Sequence, residues 1–157
     1  MLKIFTIITL LFVVIDQAVK LIVKINMNVF ESIEIIKNFF YITYVQNEGA
    51  AWGILSGNRL ILILSSIFTL ILIYFCFIKG NTLSKVEEII YGILFAGILG
   101  NLFDRVLYGY VIDYLDFNIF NYNFPVFNIA DICIVIGMFL LVFINYKGSV
   151  KNGKNNS

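Results

Sequence analysis

A membrane all-α fold, four transmembrane helices with a small β element outside the bilayer, is what this sequence predicts, and three observations carry it. Of its 157 residues, 61% are hydrophobic and 13% charged, and the mean hydropathy is +0.94. Such a chain is too apolar for a soluble domain and too short for more than one compact unit. Apolar runs recur over 4–25, 60–78, 88–107 and 128–146, each close to the ~20 residues that cross the hydrocarbon at about 1.5 Å apiece. The segment 30–56 breaks that rhythm with β-branched and aromatic residues bounded by Asn and Gly. A single membrane domain over 1–147 follows, and the Lys-, Asn- and Gly-rich segment 148–157 reads as a disordered tail.

The first run starts after Lys3 and continues past Asp16 and Lys20. No small-residue cleavage site follows its apolar core, so it reads as a retained span and not a removed signal peptide. Asp16 and Lys20 are four apart with the acid first, the favourable orientation on a helix face. That pair is equally a neutralised couple at the outer end of the helix or a support for a polar site. Next, Ser32–Ile36 and residues 39–45 predict a small sheet lying at the membrane surface, where aromatic rings favour headgroup depth. The turn Asn47-Glu48-Gly49-Ala50-Ala51-Trp52-Gly53 offers one side-chain amide and a small backbone. An extended peptide could approach Gly49 there by strand addition, and an ordinary glycine turn is the plainer alternative. Trp52 reads as a belt residue.

The run 60–78 has no charge between Arg59 and Lys79 and carries no chemistry. After a polar turn, Glu87 and Glu88 open the third helix, where its dipole favours acids. Gly92, Ala96, Gly97 and Gly100 are spaced for close helix packing in lipid. Asn101, Asp104 and Arg105 occupy its last turns, with Arg105 expected to neutralise Asp104. The fourth span begins near Asn128 and runs through Asp131.

Charge and composition bound the function. With 11 basic and 10 acidic residues the chain has no basic field for nucleic acid. Cys76 and Cys133 lie in apolar runs without redox or zinc spacing and read as packing residues. The absence of histidine removes Ser-His-Asp and Cys-His catalysis and H-E-x-x-H zinc sites. Acid–base chemistry therefore falls to carboxylates, lysines or tyrosines, with no metal and no cofactor expected. Lys3, Lys79, Lys85, Lys147, Lys151 and Lys154 all fall on one side of four spans, which the positive-inside rule makes cytoplasmic, together with both termini. Asp16, Asn47, Asn101, Asp104, Asp113, Asn128 and Asp131 then gather at the outer face. Carboxylates bracketed by spanning helices are costly to desolvate and mark a functional site, Asp113 and Asp131 above all. Asp116 reads as a solvated loop residue. A small proton- or ion-conducting protein is the alternative, but an uncharged second span and acids confined to one face do not make a conducting path.

Four blocks in order, Asp16-Gln17-Ala18-Val19-Lys20, Asn47 to Gly53, Gly100-Asn101-Leu102-Phe103-Asp104-Arg105 running on to Val111-Ile112-Asp113-Tyr114, and Phe124-Pro125-Val126-Phe127-Asn128-Ile129-Ala130-Asp131, give the chain a resemblance to the bacterial lipoprotein (type II) signal peptidases. These are aspartic proteases of the cytoplasmic membrane. The resemblance implies that Asp113 and Asp131 are catalytic and that Asp16, Lys20, Asn47, Gly49, Asn101, Asp104, Arg105 and Asn128 support them or the substrate. It also implies a prolipoprotein substrate, cut before a diacylglyceryl-modified cysteine at the extracytoplasmic face. Membrane lipids are the other expected partner, and a monomer is expected. Gln46 departs from the arginine usual in the family, and Tyr114 and Trp52 stand where phenylalanine is more frequent. Reporter fusions after Lys147 and within 79–85 should give a cytoplasmic signal and one within 118–123 an external signal; an external signal from 79–85 would overturn this topology.

Overall fold

The computed structural model describes residues 2–50, 54–120 and 122–154. Its helices are α1 (Lys3–Asn26), α2 (Arg59–Ile73, continued by a π-helical turn Tyr74–Ile78), α3 (Lys85–Leu107) and α4 (Ile129–Lys154). All four are long and apolar enough to cross a membrane, α4 over Ile129–Tyr146. These apolar helical stretches begin and end within three residues of the apolar runs read from the sequence. The largest difference is the start of α3, which is set by a capping box: Glu87 N donates to Ser84 Oγ (3.3 Å) while Ser84 N donates to Glu87 Oε2 (2.8 Å). α4 stays helical to Lys154, across most of the segment that reads as a disordered tail in the sequence. Ala51, Trp52, Gly53 and residues 155–157 lie outside the described residues.

α3 is the centre of the bundle. Of its span residues 56% are buried, against 17–22% in the other three, and it packs on α1, α2 and α4. Its small residues make that approach possible. A Cβ added at Gly97 would run into Ala130 O and lie 2.9 Å from Ile134 N, and one at Gly92 would lie 3.0 Å from Ile8 Cβ. Tyr91, Leu94 and Ile98 of α3 build the apolar core with Ile73 and Ile78. The outer faces of the helices expose Leu10, Ile22, Phe68, Val135 and Phe139. Such surfaces suit lipid, with every backbone group already satisfied inside its helix.

The sheet is antiparallel in the order β1 (Ser32–Ile36), β2 (Phe40–Asn47), β3 (Val111–Ile119), β4 (Tyr122–Asn123). The β1–β2 hairpin is the one the sequence predicts. β3 is a correction: Asp113 and Asp116, read as outer-loop residues, lie on a nine-residue strand paired to β2, with Asp113 opposite Val45 and Val111 opposite Asn47. Its sequence VIDYLDFNI has no clean alternation because its first four residues are buried on both faces, so the period-2 signal of a half-buried strand is missing. Tyr44, Ile112 and Tyr114 press the sheet onto Val23 at the end of α1. Thus the C-terminal ends of α1 and α3, the N-terminal end of α4 and strands β2 and β3 converge.

Gly97→Val should lower stability by about 1–3 kcal/mol, the cost of overpacking a tight contact, read as a lower Tm in detergent. Leu10→Ala on the outer face should shift Tm little.

Candidate active site

The site is built on a buried cation. Lys20 is 1% exposed, and its Nζ lies 2.9 Å from Asp16 Oδ2 and 2.9 Å from Asp104 Oδ2 while donating to Asn101 Oδ1 at 3.0 Å. The Asp16–Lys20 pair expected from helical spacing is present. The expected Arg105–Asp104 pair is not, among the described residues: neighbours in a helix point about 100° apart. Asp104 turns inward to Lys20, and Arg105 donates instead to Gly49 O (3.0 Å) and Asn101 O (3.5 Å). Gln17, not singled out from sequence, completes the junction. Its amide donates to Asp16 Oδ2 (3.2 Å), Gly100 O (3.2 Å) and Asp104 Oδ1 (2.9 Å). Its place between Asp16 and Lys20, in the first of the four blocks, was the signal the sequence offered.

The same acids tie down the elements that carry the chemistry. Asp16 Oδ1 accepts from Ala130 N in the first turn of α4 (2.9 Å), and Asp104 Oδ2 accepts from Ile112 N on β3 (3.1 Å). Asp113, next along β3, and Asp131, in the first turn of α4, are held in place as a result. Asn128 and Asp131 cap α4 reciprocally: Asp131 N donates to Asn128 Oδ1 (3.0 Å) and Asn128 N to Asp131 Oδ2 (3.1 Å). This local sequence pattern, Asn-x-x-Asp at a helix start, fixes the Asp131 side chain.

Three amides link the carboxylates to one another and to Lys20. Asn101 Nδ2 donates to Asp131 Oδ1 (2.7 Å), and Asn128 Nδ2 to Asp113 Oδ1 (2.6 Å), Asn101 Oδ1 (3.1 Å) and Ile112 O (3.3 Å). Asn47 Nδ2 donates to Asp113 Oδ2 (2.9 Å), its own Oδ1 accepting from Gly49 N (2.9 Å). Gly49 thus has both backbone groups engaged inside the protein, which leaves the strand-addition reading without a free donor at that residue. Burial pushes the Asp113 carboxyl up to about 7, and the charge of Asp131 adds to it, against the pull of the Asn47 and Asn128 amides. Asp116 stands apart, accepting from Thr43 Oγ1 at 2.6 Å. No group of three or more His, Cys, Asp or Glu side chains that could hold a metal ion occurs among the described residues.

Asp113 and Asp131 border a cavity of about 690 Å³ that also touches Asn47, Asn101 and Arg105 and extends along Ile98, Ile132 and Val135, with Ser65, Ser66 and Thr69 of α2 on its other wall. Arg105 Nε is buried there without a hydrogen-bond partner among the described residues. The arrangement is two carboxylates that feel each other's charge, one of them pushed by burial toward neutrality, at an apolar cavity between membrane-crossing helices. Such a pair can supply a general base and a general acid to one bond.

The sequence matches the model of the family described as signal peptidase (SPase) II over residues 8–147. It is 44% identical over 130 residues to a lipoprotein signal peptidase of Staphylococcus aureus (strain MRSA252), covering 83% of this chain and 80% of that protein. The fold is similar to a bacterial membrane enzyme solved by the in meso method at 2.3 Å resolution, with TM-score 0.85, 41% identity and coverage of 92% of this chain and 88% of that one. A second bacterial membrane enzyme, solved by the same method at 1.9 Å resolution, superposes with TM-score 0.80 at 41% identity, covering 89% of this chain and 90% of that one.

Lys20→Met should lower stability by about 3–5 kcal/mol, since it leaves two buried carboxylates without their cation, and this is read by thermal unfolding in detergent. Combining it with Asp16→Asn and Asp104→Asn should recover much of the loss.

Proposed function

The chain belongs to the signal peptidase II family and is a membrane protease; we propose that it removes the signal peptide from diacylglyceryl-modified prolipoproteins, cutting before the lipid-bearing cysteine with Asp113 and Asp131 as one catalytic dyad. The observation that carries this reading is the placement of the two carboxylates. They are bridged by Asn128, coupled in charge, and set where an apolar cavity between the spans meets the sheet. A lipid-modified signal helix lying in the bilayer presents its scissile bond at that depth.

In the proposed mechanism Asp113, whose carboxyl is pushed up to about 7, holds the proton and donates it toward the scissile carbonyl oxygen. Asp131, fixed by Asn101 and by the cap of α4, takes a proton from the attacking water. The water oxygen adds to the carbonyl carbon as the C=O π bond opens onto the oxygen that Asp113 protonates; when the C–N bond breaks, C=O re-forms, that proton returns to Asp113, and the leaving amine takes up the proton that Asp131 received. Asn47, Asn101 and Asn128 hold the two acids in register. Asp16, Lys20 and Asp104 act through the scaffold, and Arg105 borders the substrate cavity while anchoring Gly49. The distribution of lysines supports a site at the extracytoplasmic face of the bacterial cytoplasmic membrane with both termini inside. The protein acts as a monomer among lipids, without metal or cofactor. Ion conduction is disfavoured because the second span carries no Asp, Glu, Lys or Arg between Arg59 and Lys79.

Asp113→Asn and Asp131→Asn should each cut processing of a diacylglyceryl-modified prolipoprotein by roughly 10³-fold or more, with the double variant hardly worse, as for groups that act as a unit. Asp116→Asn should keep most activity. A folded dyad variant that processes substrate near the parent rate would end this mechanism. The pH dependence has a defined sign: Asp113 is protonated below about 7 and loses its proton above it, so kcat/KM should fall as pH rises through that value, and a rate that climbed across the same window would contradict the assigned role.

A further inference from the structure

Two cavities meet at Asp113. The larger descends between α2, α3 and α4 along residues of the spans. The smaller, about 420 Å³, opens on the sheet side and is walled by Val45, Gln46, Glu48 and Ser56. Asn47, Asp113, Pro125 and Val126 border both. A chain whose scissile bond sits at Asp113 and Asp131 can therefore run from the larger cavity into the smaller one past Asp113. Its apolar signal helix and acyl chains suit the first, which is continuous with the lipid-facing spans. The residues after the lipid-bearing cysteine are left the second.

The walls of the smaller cavity have an uneven charge. Apart from Asp113 they carry one ionisable side chain, the exposed Glu48, which forms no ion pair among the described residues. Among the described residues no cation lines it: Gln46 is neutral and donates its amide to Tyr44 Oη at 3.0 Å, and Arg105 borders the larger cavity, tied to Gly49 O. Resting on the function proposed above, we propose that the smaller cavity binds the residues immediately following the lipid-bearing cysteine, and that Glu48, unopposed by a cation at position 46, makes it favour basic over acidic side chains there.

The test uses three diacylglyceryl-modified prolipoproteins that differ only in the residue after the cysteine, Lys, Ser or Asp, with the full-length enzyme in neutral detergent. The parent should process the Lys form with a kcat/KM about fivefold above the Asp form, the size expected of one exposed ion pair gained and one like-charge contact removed. The Ser form should fall between. Raising salt to 1 M, where the screening length is about 3 Å, should shrink the ratio toward one. Glu48→Lys should invert the order, and Gln46→Arg, which brings a cation into the same cavity without touching Glu48, should narrow it. Ratios are taken within each enzyme, so a variant of lowered yield still reports, and either variant decides if the other fails to fold. Equal rates for the three substrates, or an order that both variants leave unchanged, would overturn the proposal. Failure of the parent to cut any of the three would instead overturn the substrate assignment, and the subsite with it.

Discussion

Everything at the working end of this protein depends on the burial of one ammonium group. Lys20 sits at 1% exposure on a membrane-crossing helix. Moving such an ion from water to a medium of low dielectric costs of order 20 kcal/mol by the idealised Born calculation, so it is tolerated only when its surroundings solvate it. Asp16, Asp104 and the Asn101 carbonyl oxygen do so within 3.0 Å. Two acids around one base leave a net negative charge. That excess is met by backbone and amide donors: Ala130 N at the N-terminus of α4, Ile112 N on β3 and the Gln17 amide. The positive end of the α4 dipole adds to the same balance. Satisfying one buried charge therefore locks α1, α3, α4 and β3 together at a single depth.

The charge also dictates how the amides point. An asparagine can be turned end for end at little local cost, yet Asn101 must present its oxygen to the ammonium, so its nitrogen faces Asp131. Asn128 receives the Asp131 backbone N–H on its oxygen, and its nitrogen is left to Asn101 and Asp113. The chain from Lys20 through Asn101 and Asn128 to the carboxylates thus has one self-consistent direction. Donors end on both acids, neither of which forms an ion pair among the described residues, and burial raises Asp113 toward neutrality.

The spanning helices supply the rest of the chemistry by what they exclude. α2 reaches the bundle through α3, leaving an apolar cavity between α2 and α4 that ends at the carboxylates. On the proposed function, peptide-bond hydrolysis there would take place beside lipid, where water is scarce and where electrostatic interactions are strengthened. A sheet pressed onto the end of α1 delivers Asp113 from the far side.

What the sequence alone determined is the part written in local spacing. Hydropathy marks the four spans, because lipid demands about 20 apolar residues in a row. Helical spacing pairs Asp16 with Lys20, Gly92, Gly97 and Gly100 announce the close face of α3, and β-branched and aromatic residues mark the β1–β2 hairpin. The gathering of carboxylates at one end follows from charge and span order. The tertiary structure decided the rest: that Asp104 belongs to Lys20 and not to its neighbour Arg105, that Gln17 is part of the junction, and that Asp113 rides a strand. Each of these rests on partners distant in the chain, 87 residues for Gln17 with Asp104 and 66 for Asn47 with Asp113. A strand buried on both faces, or an ion pair between two helices, leaves no period in its own sequence, since the burial that selects it is contributed by other segments.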